Sequence, residues 1–145
     1  LTLGTAESCT GGYISHLLTS ISGASDYFKG SIVSYSNEIK EEVLRVNSET
    51  LKQHGAVSEE TVQEMLKGAL KNLNVDIAIA VSGVAGPSGG SSEKPVGCVF
   101  IGIANQNKSV VKKLQFTQNR ERNIQLSAIT ALVMLKKFLL EEYAN

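Results

Sequence analysis

"LTLGTAESCTGGYISHLLTSI", Leu1 to Ile21, reads as a strand that turns a polar, glycine-bearing corner into a helix. Leu1 to Glu7 carries Thr and Leu and stops at polar residues, as a short strand does. Beyond Gly11 and Gly12, apolar residues recur at Ile14, Leu17, Leu18 and Ile21, which is helical spacing. The glycine in "SGAS", Ser22 to Ser25, ends that helix.

The same alternation continues down the chain. "SIVSY", Ser31 to Tyr35, predicts a second strand. "SNEIKEEVLRV" follows as a short helix capped by Ser36 or Asn37, with Lys40 in its first turn. The next helix starts at Ser58 in "VSEETVQEMLKGAL". Its Val62, Met65, Leu66, Ala69, Leu70 and Leu73 form one apolar stripe. "DIAIAVS", Asp76 to Ser82, is almost wholly apolar, as a central strand covered on both faces must be. After the loop "GVAGPSGGSSEKP", the runs "VGCVFIGIA" and "SVVKKLQF" flank "NQNK" as a hairpin. A last helix spans Arg120 to Tyr143, with Ile124, Ala128, Ala131, Leu135, Phe138 and Leu139 facing inward. Alternating strands and helices closed by a hairpin predict one α/β domain over residues 1–145: three α/β/α layers around a mixed, mostly parallel sheet.

The bulk properties agree with a single globular domain. The chain has 145 residues, 42% hydrophobic and 19% charged. Such a length buries roughly two-thirds of its unfolded surface, so no staple is needed. Lys plus Arg and Asp plus Glu both number 14, which argues against nucleic-acid capture. Two cysteines, Cys9 and Cys98, are expected to be reduced, as in a cytoplasmic protein. No run is expected to cross a membrane, and no signal-peptide pattern opens the chain. Leu1 stands where an initiator Met is expected, as in a piece of a longer protein.

In open α/β sheets, sites form at the carboxyl ends of strands. Three places qualify: the turns after Glu7, Tyr35 and Val81. Ser8 lies between a strand and a helix, where free N–H groups suit a developing oxyanion, with Gly11 and Gly12 allowing close approach. The plainer reading is that Ser8 or Thr10 caps the helix. A serine nucleophile needs a base, and neither histidine follows a strand: His16 lies within the first helix and His54 in a loop. Lys40 does follow one. Its position near the positive end of a helix dipole would lower its pKa, while Glu38, Glu41 and Glu42 would raise it. Read alone, Lys40 is a solvated lysine on an acidic helix. Cys9 is the rival nucleophile. "SGVAGPSGG" lacks the Gly-Lys-Ser/Thr ending of a P-loop, and serves equally as a backbone ligand cradle or a surface turn. Arg120 could clamp a phosphate or stand exposed. The scattered histidines and cysteines show no metal-ligand spacing, and no cofactor is expected.

Taken together, "AESCTGG", "YSNEIK", "HGAVSEE", "SGVAGPSGG" and "EKPVG" resemble the CinA C-terminal domain family, which includes stand-alone nicotinamide-nucleotide amidases. The motifs run in family order from Thr2 through the last helix. The resemblance implies an amidohydrolase converting nicotinamide mononucleotide to nicotinate mononucleotide and ammonia, without a metal. It implies Ser8 as nucleophile, Lys40 as its base and Tyr35 beside them. It places Thr10, Gly11, Gly12, Ser82, Gly83, Gly86 and Arg120 around the substrate, with Arg120 on the phosphate. Many members carry an extra helix, or a whole nucleotide-handling domain, ahead of the first strand. A non-catalytic nucleotide-binding module is the alternative. A homodimer or higher homo-oligomer is expected because the hairpin and last helix leave apolar surface to cover.

Overall fold

The computed structural model describes residues 1–144. Five strands, β1 (Leu3–Glu7), β2 (Phe28–Val33), β3 (Ile77–Gly83), β4 (Cys98–Ala104) and β5 (Ser109–Gln115), form one sheet in the order β2-β1-β3-β4-β5. β1 pairs in parallel with both β2 and β3, whereas β3–β4 and β4–β5 are antiparallel. Four strands therefore point one way and β4 alone is reversed. Five helices flank the sheet: α1 (Tyr13–Thr19), α2 (Asn37–Glu42), α3 (Ser48–His54), α4 (Glu59–Asn72) and α5 (Arg120–Tyr143).

Strand alternation sorts the core into two halves. Ile77, Ile79 and Val81 face α1 and α5, with Ile14, Leu18, Ala128, Ala131 and Phe138 packed on them. Ala78 and Ala80 face α4, with Val62, Met65, Leu66 and Ala69 above them. The small residues on that side let α4 sit close, so "DIAIAVS" alternates by size where it cannot alternate by polarity. Each fully buried large aliphatic side chain contributes about 1.5–3 kcal/mol, and the three-layer arrangement follows from giving both faces of the sheet a helix cover.

Several local expectations change. The second strand begins at Phe28 and ends at Val33, earlier than Ser31–Tyr35. It lies at the sheet edge, where only one ladder holds it, and its burial pattern is weak. The helix after it stops at Glu42, and His54 ends the short helix α3 where a loop was expected. His16 lies only four residues into α1, in its last turn, because that helix starts at Tyr13 and is seven residues long. On α5 the buried face is Asn123, Ser127, Ala128, Ala131, Met134 and Phe138, while Ile124, Leu135 and Leu139 pack at its margins. The inward stripe is thus partly polar at its start. At 24 residues, α5 is also long and apolar enough to span a membrane by length and composition, contrary to the expectation. Here its inner face lies on β3, β4 and α1. Ile129, Val133 and Leu140 on its outer side are exposed.

Candidate active site

Glu7 stands opposite both Val33 and Val81, so β1 and β2 end level with each other, beside β3 two residues before its own end. The three turns singled out in the sequence therefore meet. The ladders run one residue further: the Ser8 N–H donates to Val81 O at 3.1 Å and the Ser34 N–H to Glu7 O at 2.8 Å. Ser8 is thereby held by the sheet, not by a free loop.

Lys40 reaches into this junction. Ser36 caps α2 by accepting from the Ile39 N–H, which turns the next residue toward the sheet. The Lys40 Nζ lies 3.0 Å from Ser8 Oγ, 2.8 Å from Ser34 O and 3.3 Å from Tyr35 O. It is 1% exposed, against the picture of a solvated surface lysine. Burial lowers its pKa below the ordinary lysine value, partly offset by the nearby Cys9 thiol. The expected dipole argument is replaced by desolvation: Lys40 sits in the second turn of a six-residue helix. A neutral amine has two N–H donors and one lone pair. It can donate to the two carbonyls and accept the Ser8 proton, so all three neighbours suit the uncharged form.

Cys9 occupies the opposite situation. Its thiol is buried against the α1–α5 side and its pKa is pushed up to about 12 by that burial. A protonated, inward thiol is no nucleophile.

The corner itself is organised by Glu7, a residue with no assigned role in the sequence reading. Its carboxylate is fully buried. Oε1 accepts from the Ile14 N–H at 2.9 Å and the Thr10 hydroxyl at 2.8 Å. Oε2 accepts from the Ser15 N–H at 3.0 Å and the Ser15 hydroxyl at 2.5 Å, with Thr5 and Ser31 hydroxyls just beyond. α1 starts from Gly12, whose φ of 100° places it in the left-handed region and which offers no capping side chain. Ser8 and Thr10, the expected caps, are thus replaced by Glu7. The signal was present in the sequence: a helix opening on two glycines must take its acceptor from elsewhere.

A cleft of about 310 Å³ opens over the dyad. Ser8, Lys40 and Tyr35 line one side, and Ser82, Gly83 and the Val84–Gly90 turn line the other. The Ser82 hydroxyl donates to Ala56 O at 2.8 Å, tying the α3–α4 connection to the end of β3. Gly86 has φ +87°, and a Cβ there would come within 2.4 Å of Val96 Cγ1, so only glycine fits this bend. Arg120 sits at the mouth. Its Nη1 donates to Gly86 O at 2.6 Å and its Nη2 to the exposed Tyr35 hydroxyl at 2.9 Å. Asn123, which the sequence did not single out, is buried below: it donates to Ala85 O and Thr117 O and accepts from the Thr117 N–H and hydroxyl. One side chain thereby fixes both the glycine turn and the start of α5.

Ser8, Lys40, Tyr35, Ser82, Gly83, Gly86 and Arg120 are therefore brought to one cleft. Thr10, Gly11 and Gly12 lie outside its lining, with the Thr10 hydroxyl turned to Glu7. A larger depression, about 580 Å³, lies at the opposite end of the sheet between α4 and the β4–β5 turn, and holds no paired nucleophile and base. Among the described residues no group of three or more His, Cys, Asp and Glu side chains comes together to hold a metal.

The model of the CinA C-terminal domain matches residues 1–139. A CinA-like protein of Cytophaga hutchinsonii is 49% identical over 97% of this chain and 34% of its own length. A putative competence-damage inducible protein of Caldanaerobacter subterraneus is 47% identical over 95% of the chain and 34% of its own. The chain thus spans about a third of the curated relatives it matches. A crystal structure of the competence damage-inducible protein A from Klebsiella pneumoniae superposes with a TM-score of 0.93 at 38% identity, covering 98% of this chain and 88% of that one. The competence/damage inducible protein from Agrobacterium tumefaciens gives a TM-score of 0.92 at 40% identity, over 94% and 84%. By its match to the family model and its likeness to these relatives and solved structures, this chain belongs to the CinA C-terminal domain family.

Proposed function

We propose that this domain is an amidohydrolase that cleaves the carboxamide of nicotinamide mononucleotide through an acyl-enzyme on Ser8. The observation that carries the reading is the 3.0 Å approach of the Lys40 amine to the Ser8 hydroxyl, in a site whose burial disfavours the ammonium. An amine held neutral beside a hydroxyl is the arrangement a general base requires.

The chemistry follows in balanced steps. Lys40 takes the Ser8 proton as Oγ bonds the amide carbon, and the carbonyl oxygen becomes an oxyanion. The backbone N–H groups at the corner between β1 and α1 are the donors offered to it. The Lys40 ammonium then returns its proton to the amide nitrogen, the C–N bond breaks and ammonia leaves. Water, giving a proton to Lys40, attacks the ester. The C–Oγ bond breaks, Ser8 regains its proton and a carboxylate departs. Arg120 at the mouth, with the Gly86 turn and Tyr35, supplies the cation and hydrogen-bonding groups for a phosphate.

The test is ammonia release on incubation with nicotinamide mononucleotide, with Ser8→Ala and Lys40→Ala as controls. Both variants are expected to fold and to release none. Full activity in either removes the dyad. Nucleotide binding without turnover in the unmodified chain identifies a binding module instead.

A further inference from the structure

Glu7 sits one residue before the proposed nucleophile, fully buried, with no lysine, arginine or histidine among its hydrogen-bond partners. A carboxylate in such a place is costly unless donors saturate it. Two of its firm donors are the exposed-by-default N–H groups of the first turn of α1. The others are hydroxyls on the corner and on α1 itself. The carboxylate therefore joins three things: the end of β1, the loop that carries Ser8, and the start of α1.

We propose that Glu7 is a positioning residue for acyl transfer: by clamping α1 to the end of β1 it holds Ser8 Oγ on Lys40 Nζ. The inference rests on the reading of Ser8 as nucleophile. The Ser8 N–H is tied to Val81 O, but beyond Ser8 the corner has little else to hold it. Gly11 and Gly12 both adopt positive φ, and a Cβ at Gly11 would meet nothing, so the loop from Cys9 to Gly12 has intrinsic freedom. The Gly11 N–H to Ser8 O and Tyr13 N–H to Thr10 O bonds close two tight turns but do not anchor them to the sheet. Thr10 is anchored through Oε1 of Glu7. Glu7 is not a base here, since Ser8 Oγ is served by Lys40 and Glu7 makes no contact with it.

Glu7→Gln tests this. Whichever way the amide is placed, its NH₂ faces the backbone N–H of Ile14 or of Ser15, so that bond is lost and the hydroxyl beside it must turn from donor to acceptor, without a change of side-chain shape. The readout is labelling of Ser8 by a fluorophosphonate, in which the Oγ–P bond forms, fluoride leaves and Lys40 takes the proton. It needs no assumption about the natural substrate. Labelling and ammonia release are expected to fall about 10²-fold, as for a displacement near 1 Å. KM and the midpoint of the pH profile are expected to stay unchanged, because the cleft wall, the burial of Lys40 and its Ser34 and Tyr35 carbonyl partners stay in place. Ser15→Ala removes one donor and is expected to slow labelling in the same direction by less; it serves if Glu7→Gln does not fold. A folded Glu7→Gln, or else Ser15→Ala, labelled at the unmodified rate overturns the proposal. Labelling that depends on Glu7 in a chain that releases no ammonia supports the clamp and removes the amidase reading. Failure of the unmodified chain to label at Ser8 removes both.

Discussion

Lys40→Met removes the amine while keeping a flexible side chain of similar length, and it separates two consequences of burying a lysine. In the folded protein burial holds the Lys40 pKa below the 10.5 of a free lysine, to which the unfolded chain returns. Below the folded pKa both states carry the proton, and the folded state bears the full cost of a buried charge. Between the folded pKa and 10.5 the unfolded chain holds a proton that the folded one has shed, so stability rises with pH. One proton gives a slope of at most about 1.4 kcal/mol per pH unit. Above that window the variant lacks the hydrogen bonds of Lys40 to Ser8 and to the Ser34 and Tyr35 carbonyls, of which leaving the buried Ser34 carbonyl unmet costs about 1–3 kcal/mol. The stability of the unmodified chain minus that of Lys40→Met, from urea denaturation at pH 6 to 10, should therefore climb with pH toward a positive value. Other titrations largely cancel in the difference. A difference that is flat, or that falls as pH rises, would refute the claim that Lys40 is destabilised as an ammonium. Activity in this variant should drop by about 10²–10⁴, the usual contribution of a general base.

Three further outcomes are expected. The rate of ammonia release should rise with pH along a limb whose midpoint lies below 10.5, because Lys40 acts only after losing its proton; a limb at or above that value in a pH–rate profile contradicts the assignment. Cys9→Ala should retain activity, and iodoacetamide should alkylate Cys9 slowly at neutral pH, since burial pushes that thiol up to about 12; mass spectrometry of the modified peptide checks both. Asn123→Ala should lower stability by about 3 kcal/mol in chemical denaturation, because it leaves the buried Ala85 carbonyl and the half-buried Thr117 carbonyl without donors.

The sequence by itself determined the layers and the place of the site. β1 and α1 were legible because Leu1–Glu7 carries strand residues that stop at polar ones and Ile14, Leu17 and Leu18 keep helical spacing, although Ile21, expected on the same stripe, lies beyond α1 and is exposed; β3 was legible because a run of small and branched apolar residues needs cover on both faces. Those patterns also set where the strands end, and so which polar residues stand at the rim. The tertiary structure decided what those residues are. Lys40 reads as a surface lysine on an acidic helix until the level ends of β1 and β2 bury it against Ser8 and the Ser34 carbonyl. Cys9, adjacent to Ser8 and lining the same cleft, is buried against the α1–α5 side, which keeps its thiol protonated. Asn123 showed no pattern of its own and Glu7 only the want of a cap at the double glycine, since a buried polar side chain is defined by the partners the fold brings to it: Ile14 and Ser15 for one, Ala85 and Thr117 for the other. Periodicity reports which face a residue occupies. Protonation and hydrogen bonding depend on what packs against that face, and only the folded chain brings those groups together.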